Sequence, residues 1–256
     1  MALSTEAAVR ELQTASSVYI AYSRYTNLPY VTEGEETAND QVWIFAKEQD
    51  IKAFGQKLLE DKILIIGMRY DKKDYNRLFS TLYAIDVNAV VWNNGKESAE
   101  IELSMIARQA DFDSLEPSKR PLFNPALQLC GIYFMQELRK PVPQDQKEDL
   151  HDLEEELLAN LRKAQFLVPM EVSPQDPKKI SVPFLKTKNG DLLQPAFTDV
   201  IELEKFTKGK RLRAVKVAFE KLPGLLLEQS KAMAVNPMGF NLVLDREQLK
   251  RIAGSV

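Results

Sequence analysis

The clearest alternation of apolar and polar positions lies near the end of the chain. Phe240, Leu242 and Leu244 occupy every second position, which predicts a strand with one strongly buried face. Asp245 follows this strand, and Gln248 stands three residues later. This spacing predicts a capping box, in which the two side chains satisfy free backbone N–H groups at the start of a helix.

A tight turn is predicted directly before this strand. Asn236, Pro237 and Gly239 stand at the first, second and fourth positions of a type I turn, where these residue types are favoured. Such a turn could present backbone N–H groups and the Asn236 side chain to a ligand, with Phe240 beside them, because loops on a rigid scaffold often carry binding residues. The alternative is structural: Gly239 relieves a steric constraint, and Asn236 satisfies its own backbone.

The first half of the chain alternates between helical and strand patterns. Apolar positions at helical spacing predict helices at 5–15, 49–59 and 72–84, with the start of another at 105–108. Short apolar runs predict strands at 18–22, 28–31, 41–45, 62–68, 87–92 and 99–103. The sequence Asn-Asn-Gly at 93–95 predicts a hairpin turn between the last two strands.

The second half repeats this order of elements. The predicted helices lie at 153–164, 200–207 and 223–231, and the predicted strands at 166–170, 182–185, 194–197 and 212–219. Lys-Asn-Gly-Asp at 188–191 predicts a hairpin turn, and Asp199 with Glu202 forms a second capping-box pattern. Self-similarity over roughly ninety residues predicts a duplicated domain rather than a short solenoid repeat.

The interleaving of helices with short strands predicts an α+β fold, with layers of sheet and helix around a core in each copy. We expect two tandem domains, 1–110 and 146–256, each a mixed sheet of short strands packed with helices. The first copy is the more diverged, since it lacks a capping residue before its second helix. A Pro-containing helical linker, 111–145, joins the two.

The helix predicted within this linker is apolar nearly all round. Asn124 followed by Pro125 marks its start, because this pair is typical of an N-cap and a first helical residue. A helix without a polar face is expected to be buried on several sides. The alternative is a surface for a protein partner or for a homodimer, formed by Phe134, Met135 and Leu138.

Several of these motifs resemble the N-terminal domain of the bacterial SseB (enhanced serine sensitivity) family. They are Asn-Pro-Ala-Leu at 124–127, Phe-Leu-Val-Pro at 166–169, Ala-Phe-Thr-Asp at 196–199, Asn-Pro-Met-Gly at 236–239, and Leu-Val-Leu-Asp at 242–245 followed by Leu249. The resemblance covers about 124–253 directly and reaches 5–108 only through the internal repeat. It implies a bacterial, cytoplasmic α/β-type domain without established catalytic residues. It also implies a protein partner, because modulation of a sulfurtransferase has been suggested for the family.

Composition is that of an ordinary soluble protein, with 45% hydrophobic and 28% charged residues. The formal net charge of -3 argues against a general nucleic-acid binder. The apolar runs are too short to span a bilayer, and the N-terminal residues lack a hydrophobic signal core. We therefore expect a cytoplasmic protein that does not contact membranes. A single His and a single Cys exclude a Cys/His zinc site within one chain.

No catalytic motif is present in the sequence, which has neither a Gly-rich phosphate loop nor a Gly-x-Ser-x-Gly elbow. His151 lies among acidic residues, where it could sense pH or act as a general acid; the alternative is an exposed residue on a solvated helix face. Cys130 has apolar neighbours, so we expect a buried thiol rather than a redox-active one. We predict that the protein is not an enzyme and uses no cofactor.

Basic residues concentrate in the segment 205–216, which includes Lys210, Arg211 and Arg213. They could bind an anionic metabolite, RNA or the acidic helix at 145–156, or they could guard a sheet edge, because Lys and Arg discourage strand pairing. Phe206 is the only aromatic residue interleaved with them, which provides poorly for nucleic-acid stacking.

We predict from these features a non-catalytic bacterial protein that acts through protein–protein interaction or regulation. The alternative is a small-molecule or anion sensor that uses the turn at 236–239 and the basic segment.

Overall fold

The computed structural model of the protein describes residues 3–172, 180–209 and 212–254. The chain divides into two units. Unit 1 comprises Met1–Ser114 and Ile132–Leu150, and unit 2 comprises Leu115–Gly131 and His151–Val256.

Unit 1 is built around a six-stranded mixed sheet. Its elements are α1 (Thr5–Thr14), β1 (Ser17–Ser23), β2 (Val31–Glu33), β3 (Asp40–Phe45), α2 (Glu48–Leu58), β4 (Ile65–Asp71), α3 (Tyr75–Ala84), β5 (Ala89–Asn93) and β6 (Ser98–Glu102). The strand order is β4-β1-β3-β5-β6, and β2 pairs with β3 beside this path. Only the β3–β5 pair is parallel among these strands.

The two faces of this sheet carry different helices. Val42 and Ile44 alternate with Trp43 and are both fully buried on one face. On the other face Trp43 stacks on Phe54 of α2, with ring centroids 4.7 Å apart. The predicted hairpin turn at 93–95 connects β5 to β6 as expected, and Gly95 adopts the positive φ of 91° that this turn requires.

Helix α4 (Pro125–Leu138) contributes residues to both units. Its side chains are buried nearly all round, as the apolar pattern predicts; the buried ones include Leu127, Cys130, Ile132, Phe134 and Met135. Phe134 is 8% exposed and Met135 is 4% exposed, whereas Leu138 is 36% exposed. Phe134 and Met135, which were predicted to form a partner surface, are therefore buried and not available to a partner.

Unit 2 contains two short sheets and the helices that cover them. Its further elements are α5 (Leu150–Lys163), β7 (Gln165–Val172), β8 (Ile180–Ser181), β9 (Leu185–Lys186), β10 (Leu192–Ala196), α6 (Val200–Thr207), β11 (Arg213–Ala218), α7 (Leu222–Leu225), β12 (Ala232–Val235), β13 (Leu242–Asp245) and α8 (Arg246–Ala253). The sheet orders are β13-β12-β10-β9 and β11-β7-β8. Two backbone hydrogen bonds between Leu167 and Phe197, of 2.8 and 3.0 Å, connect the two sheets.

Three strand pairings occur in both units with the same direction. β1 and β4 pair antiparallel, as do β7 and β11. β3 and β5 pair parallel, as do β10 and β12. β5 and β6 pair antiparallel, as do β12 and β13. The mixed sheets and the interspersed helices confirm the predicted α+β fold.

Two predicted helices are wrong in extent. The helix expected at 223–231 is only α7, because Pro223 and Gly224 are poor helix formers and the chain beyond forms a bend and a turn. Gln194 holds it, since its Nε2 donates to the Leu225 carbonyl at 3.1 Å and its Oε1 accepts from the Leu227 N–H at 3.2 Å. The helix expected at 105–108 is a single 3₁₀ turn, Leu103–Met105.

Two strand boundaries also differ from expectation. The strand predicted at 28–31 starts at Val31, because Pro29 has no N–H to donate and forms only an isolated bridge with Tyr22. Phe240 lies outside β13, because Asn241 has a φ of 50° and interrupts the extended backbone.

Within the described ranges, no helix combines the length and the apolar character needed to cross a membrane.

Candidate functional site

The turn after β12 is closed by the hydrogen bond that its sequence predicts. The Gly239 N–H donates to the Asn236 carbonyl at 2.9 Å, which places these two residues at the first and fourth positions of the turn. Asn236 has a φ of 48°, a left-handed conformation that Asn tolerates better than most residues. Its side chain is fully buried, whereas Met238 in the same turn is 38% exposed, so the turn is buried on its Asn236 side.

Every described polar contact of the Asn236 side chain is made to Thr198. Asn236 Oδ1 accepts from the Thr198 N–H at 3.0 Å, and Nδ2 donates to Thr198 Oγ1 at 2.8 Å. The Asn236 N–H donates to the Ala196 carbonyl at 2.9 Å. The turn is thus fastened to the end of β10, and these contacts support the structural alternative for Asn236 rather than ligand presentation.

The network continues from Thr198 into Asp199. Thr198 Oγ1 donates to Asp199 Oδ2 at 2.7 Å, and Gln128 Nε2 of α4 donates to the same oxygen at 2.6 Å. The other oxygen, Oδ1, accepts from the Glu202 N–H at 2.9 Å and caps α6. Asp199 therefore joins β10, α6 and the first part of α4.

Glu202 departs from the predicted capping box, because its side chain turns inward instead of returning to residue 199. The carboxyl is 1% exposed and its Oε1 accepts from Lys205 Nζ at 2.5 Å. Burial raises the pKa of Glu202, the Asp199 charge adds to this effect, and Lys205 opposes it. Glu202 Oε2 and Gln128 Oε1 are both buried without a hydrogen-bond partner among the described residues. Protonation of Glu202 would neutralise the carboxylate and so remove the free-energy cost of burying a charge.

Two glycines allow the elements around this network to approach closely. A Cβ atom on Gly239 would lie 2.8 Å from Glu202 Oε2. A Cβ atom on Gly131 of α4 would lie 3.0 Å from the Phe240 ring. Of the predicted site residues, Gly239 thus packs against α6 and Phe240 packs against α4.

The remaining predicted binding residues are not brought together with Asn236. Pro237 is half-buried in the turn, and Arg213 is exposed at the start of β11. In the order of strands, β7 and β10 lie between β11 and β12, so Arg213 and Asn236 belong to distant parts of unit 2. Lys210 and Arg211 lie outside the described residues.

His151 and Cys130 occupy the environments expected of non-catalytic residues. The side chain of His151 is 81% exposed and lies 3.6 Å from Glu155. Burial, with a smaller contribution from Glu156, raises the pKa of Cys130 to about 12. In the part of the chain that the structure describes, no group of three or more His, Cys, Asp or Glu side chains could hold a metal ion.

A surface that the sequence patterns did not single out lies on β4 of unit 1. Its apolar face is formed by Ile66 and Met68, which are 40% and 39% exposed, together with Leu64 directly before the strand, which is 40% exposed. A cavity of about 400 Å³ lies between α2 and β4, lined by residues that include Ile51, Gly55, Leu59, Leu64, Ile65 and Ile66. The apolar run at 63–66 predicts a strand, but it does not show that this strand lies at a sheet edge.

Comparison with known protein families finds a match in the second half of the chain. Residues 146–251 match the family model of the SseB protein N-terminal domain. The second half is therefore similar to this domain. The match supports the resemblance there, and it covers less than half of the chain. No curated protein matches the chain.

Two solved structures show a distant likeness along the chain. Tic22 from Plasmodium falciparum is 11% identical, with 89% of each chain covered and a TM-score of 0.23. Anabaena Tic22, described as a protein-transport protein, is 9% identical, with 86% of this chain and 84% of that chain covered and a TM-score of 0.21. Likenesses at these TM-scores carry no argument about function.

Proposed function

We propose that the chain is a non-catalytic interaction protein of two SseB-like domains, which binds an extended segment of a partner protein along β4. The observation that carries this proposal is the free edge of β4. Over seven residue pairs β4 bonds to β1, and among the described residues no strand pairs with its other side. A free edge presents a row of backbone donors and acceptors that an added strand can satisfy.

The side chains of β4 are unlike those that protect most sheet edges. Natural edge strands usually carry Lys, Pro or a bulge that prevents pairing. The corresponding strand of unit 2, β11, exposes Arg213 and Lys216 on either side of the exposed Val215. By contrast, β4 exposes Ile66 and Met68, and its single basic residue, Arg69, bonds to Asp71 at 2.9 Å. This composition favours pairing with another chain.

The cavity between α2 and β4 supplies a second contact for such a segment. Its apolar wall includes Ile51, Leu59 and Ile65, and its rim carries Glu48 and Lys52, which form an ion pair at 2.6 Å. A strand that adds to β4 places alternate side chains on this face of the sheet. Ile65 lines the cavity on one face of β4, whereas Ile66 and Met68 are exposed on the other, so we expect a partner segment with apolar residues on both faces of the added strand.

A duplicated origin of the two units forms part of the same proposal. The same order of elements and the three shared strand pairings support it. Unit 1 would then be a diverged copy of the SseB-like half. In this copy the edge strand β4 would have acquired an exposed apolar face. A bacterial origin and a cytoplasmic location remain predictions from the resemblance.

The experiment compares partner capture by three purified proteins: the wild type, Ile66→Lys/Met68→Lys and the control Val243→Lys. Val243 is 41% exposed on β13, so its replacement adds one exposed Lys to a different strand, compared with two on β4. We expect partners captured by the wild type and the control to be lost by the β4 variant. Hydrogen exchange of the complex should show new protection at the β4 amides.

Two outcomes would contradict the proposal. Partners that survive the β4 substitutions would place the interface elsewhere. A concentration-dependent dimer of the wild type that the β4 variant abolishes, with no other protein captured, would identify a second copy of the chain as the occupant of this edge.

A further inference from the structure

Unit 1 also contains an open cleft that is separate from the β4 edge. Its volume is about 530 Å³, and it lies on the sheet face that α2 covers only in part. The floor is formed by Gln41 of β3 and Val91 of β5, and the aromatic wall by Trp43 and Phe54. Glu100 of β6 lies on the opposite side.

The aromatic wall presents ring faces rather than polar atoms. Trp43 and Phe54 stack with their planes 28° apart. The indole N–H of Trp43 donates to Thr32 Oγ1 at 3.2 Å, so its donor is already used. The ring of Trp43 remains half-exposed toward the cleft. Exposed faces of Trp and Phe attract cations through the ring quadrupole.

The charged groups of the cleft are carboxylates, for which the described residues provide no cationic partner. Glu33, Glu35, Glu36 and Glu100 line it, and no basic residue does so among the described residues. The Glu100 carboxylate accepts only from neutral donors, Thr37 Oγ1 at 3.0 Å and Asn39 Nδ2 at 2.6 Å. These two bonds leave lone pairs on a carboxylate free for further donors.

Gln41 gives independent evidence for a missing donor. Its side chain is 7% exposed, and its Oε1 has no hydrogen-bond partner among the described residues. A buried carbonyl oxygen without a donor costs free energy that a bound ligand can recover. A Cβ atom on Gly34 would lie 3.5 Å from this oxygen, so the loop that carries the acidic residues closes against it.

From these contacts we propose that the cleft binds a guanidinium group, as carried by an arginine side chain. A guanidinium is planar and always charged, it stacks on aromatic faces, and its donors form a fork that suits carboxylate and amide oxygens. An ammonium group carries the same charge but has no plane to lay on the Trp43–Phe54 wall. A neutral ligand would leave the four carboxylates uncompensated.

The test uses Nα-acetyl-arginine amide and the tripeptide acetyl-Gly-Arg-Gly-amide, titrated calorimetrically and by tryptophan fluorescence. The protein has two tryptophans, and Trp92 is only 2% exposed, so a fluorescence change reports on Trp43. The neutral citrulline analogue should bind at least about tenfold more weakly than the arginine compound, and the lysine analogue should fall between them. Tighter binding of the tripeptide would identify a peptide as the source of the guanidinium.

Two charge-matched variants complete the design. Glu35→Gln/Glu36→Gln should weaken binding at least about tenfold, as each removes one exposed carboxylate of the cleft loop. Glu220→Gln/Glu228→Gln changes net charge equally at exposed positions of unit 2 and should leave binding unchanged. Gln41→Leu should also weaken binding. A melting temperature equal to that of the wild type would show that this loss is not caused by unfolding of unit 1.

Equal affinity for the citrulline analogue would overturn the proposal, as would equal weakening by both double variants. Absence of any binding by the wild type at a ligand concentration of about 10 mM would also overturn it, since that limit corresponds to less than about 3 kcal/mol.

Discussion

Gly239 and Glu202 are in direct contact through the hydrogen that replaces a side chain. A Cβ atom at residue 239 would lie 2.8 Å from Oε2 and 3.1 Å from Cδ of Glu202. The positive-φ glycines among the described residues are Gly95, Gly190 and Gly209, so Gly239 is required for space and not for an unusual backbone angle. The turn that opens β13 therefore has its glycine because a buried carboxyl lies against it.

Gly239→Val should destabilise the protein by about 1–3 kcal/mol, the usual cost of overpacking a filled interior. Glu202 is 1% exposed and is held by Lys205, so its carboxyl has little room to move away. Chemical denaturation gives the free energy of unfolding. The control is Gly224→Val, because a Cβ atom at Gly224 meets no atom within 4 Å. An unchanged stability of the Gly239 variant would mean that the carboxyl shifts freely.

Glu202 should make stability depend on pH in a defined direction. Its folded pKa is raised above the ordinary value of 4.5, so the folded state keeps a proton that the unfolded state has lost. The stability linked to this proton is complete below the unfolded pKa, falls as pH rises toward the folded pKa, and is level above it. Glu202→Gln removes this dependence and should raise the melting temperature at pH 7.

The measurement is the difference in free energy of unfolding between the wild type and Glu202→Gln from pH 4 to pH 8, a range chosen about the carboxyl titration. The wild-type free energy of unfolding minus that of Glu202→Gln should decrease with rising pH. Glu204→Gln provides the control, since it removes one carboxyl from an exposed position of the same helix. A flat difference for Glu202→Gln would show that folding does not shift the pKa of this carboxyl.

Local sequence chemistry predicted the elements and turns of this fold well. Asp245 and Gln248 make both bonds of the expected capping box, at 2.8 and 2.9 Å, and the residues around Gly95 and Gly190 form the expected hairpin turns. Each of these features depends on residues within four positions of one another. The α+β class follows from their order.

The buried network and the exposed surfaces could not be predicted in the same way. The pairing of Asn236 with Thr198, or of Gln128 with Asp199, joins residues 38 and 71 positions apart. A turn sequence gives no information on whether tertiary packing buries it. Likewise, the apolar pattern of β4 is the same for a central strand and for an edge strand.

Asn236 should contribute to stability through two separable effects. Asn236→Ala removes the acceptor of the Thr198 N–H and places Ala at a φ of 48°, so we expect a loss of about 2–4 kcal/mol. Asn236→Gly removes the same bonds but tolerates this φ, and it should cost less than the Ala variant. Asn189→Ala, at an exposed hairpin position, is the control and should change stability little.

Equal stabilities of the Ala and Gly variants would show that backbone strain contributes nothing at residue 236. Wild-type stability in both would contradict the role of the Thr198 contact. The sequence leaves a ligand-binding and a structural role open for Asn236, and these variants measure the structural role.

Cys130 should be unreactive in the folded protein although it is a free thiol. Its pKa is raised to about 12 by burial in α4, and the thiolate is the species that attacks thiol reagents. We expect negligible labelling by a disulfide reagent at pH 8 and rapid labelling after addition of denaturant, with one thiol per chain because the sequence has a single cysteine. The control is Cys130→Ser, which should show no labelling in either state. Fast labelling of the native wild type would mean that the first part of α4 opens to solvent. In that case Gly131→Ala should accelerate the labelling further, because its Cβ atom would lie 3.0 Å from the Phe240 ring.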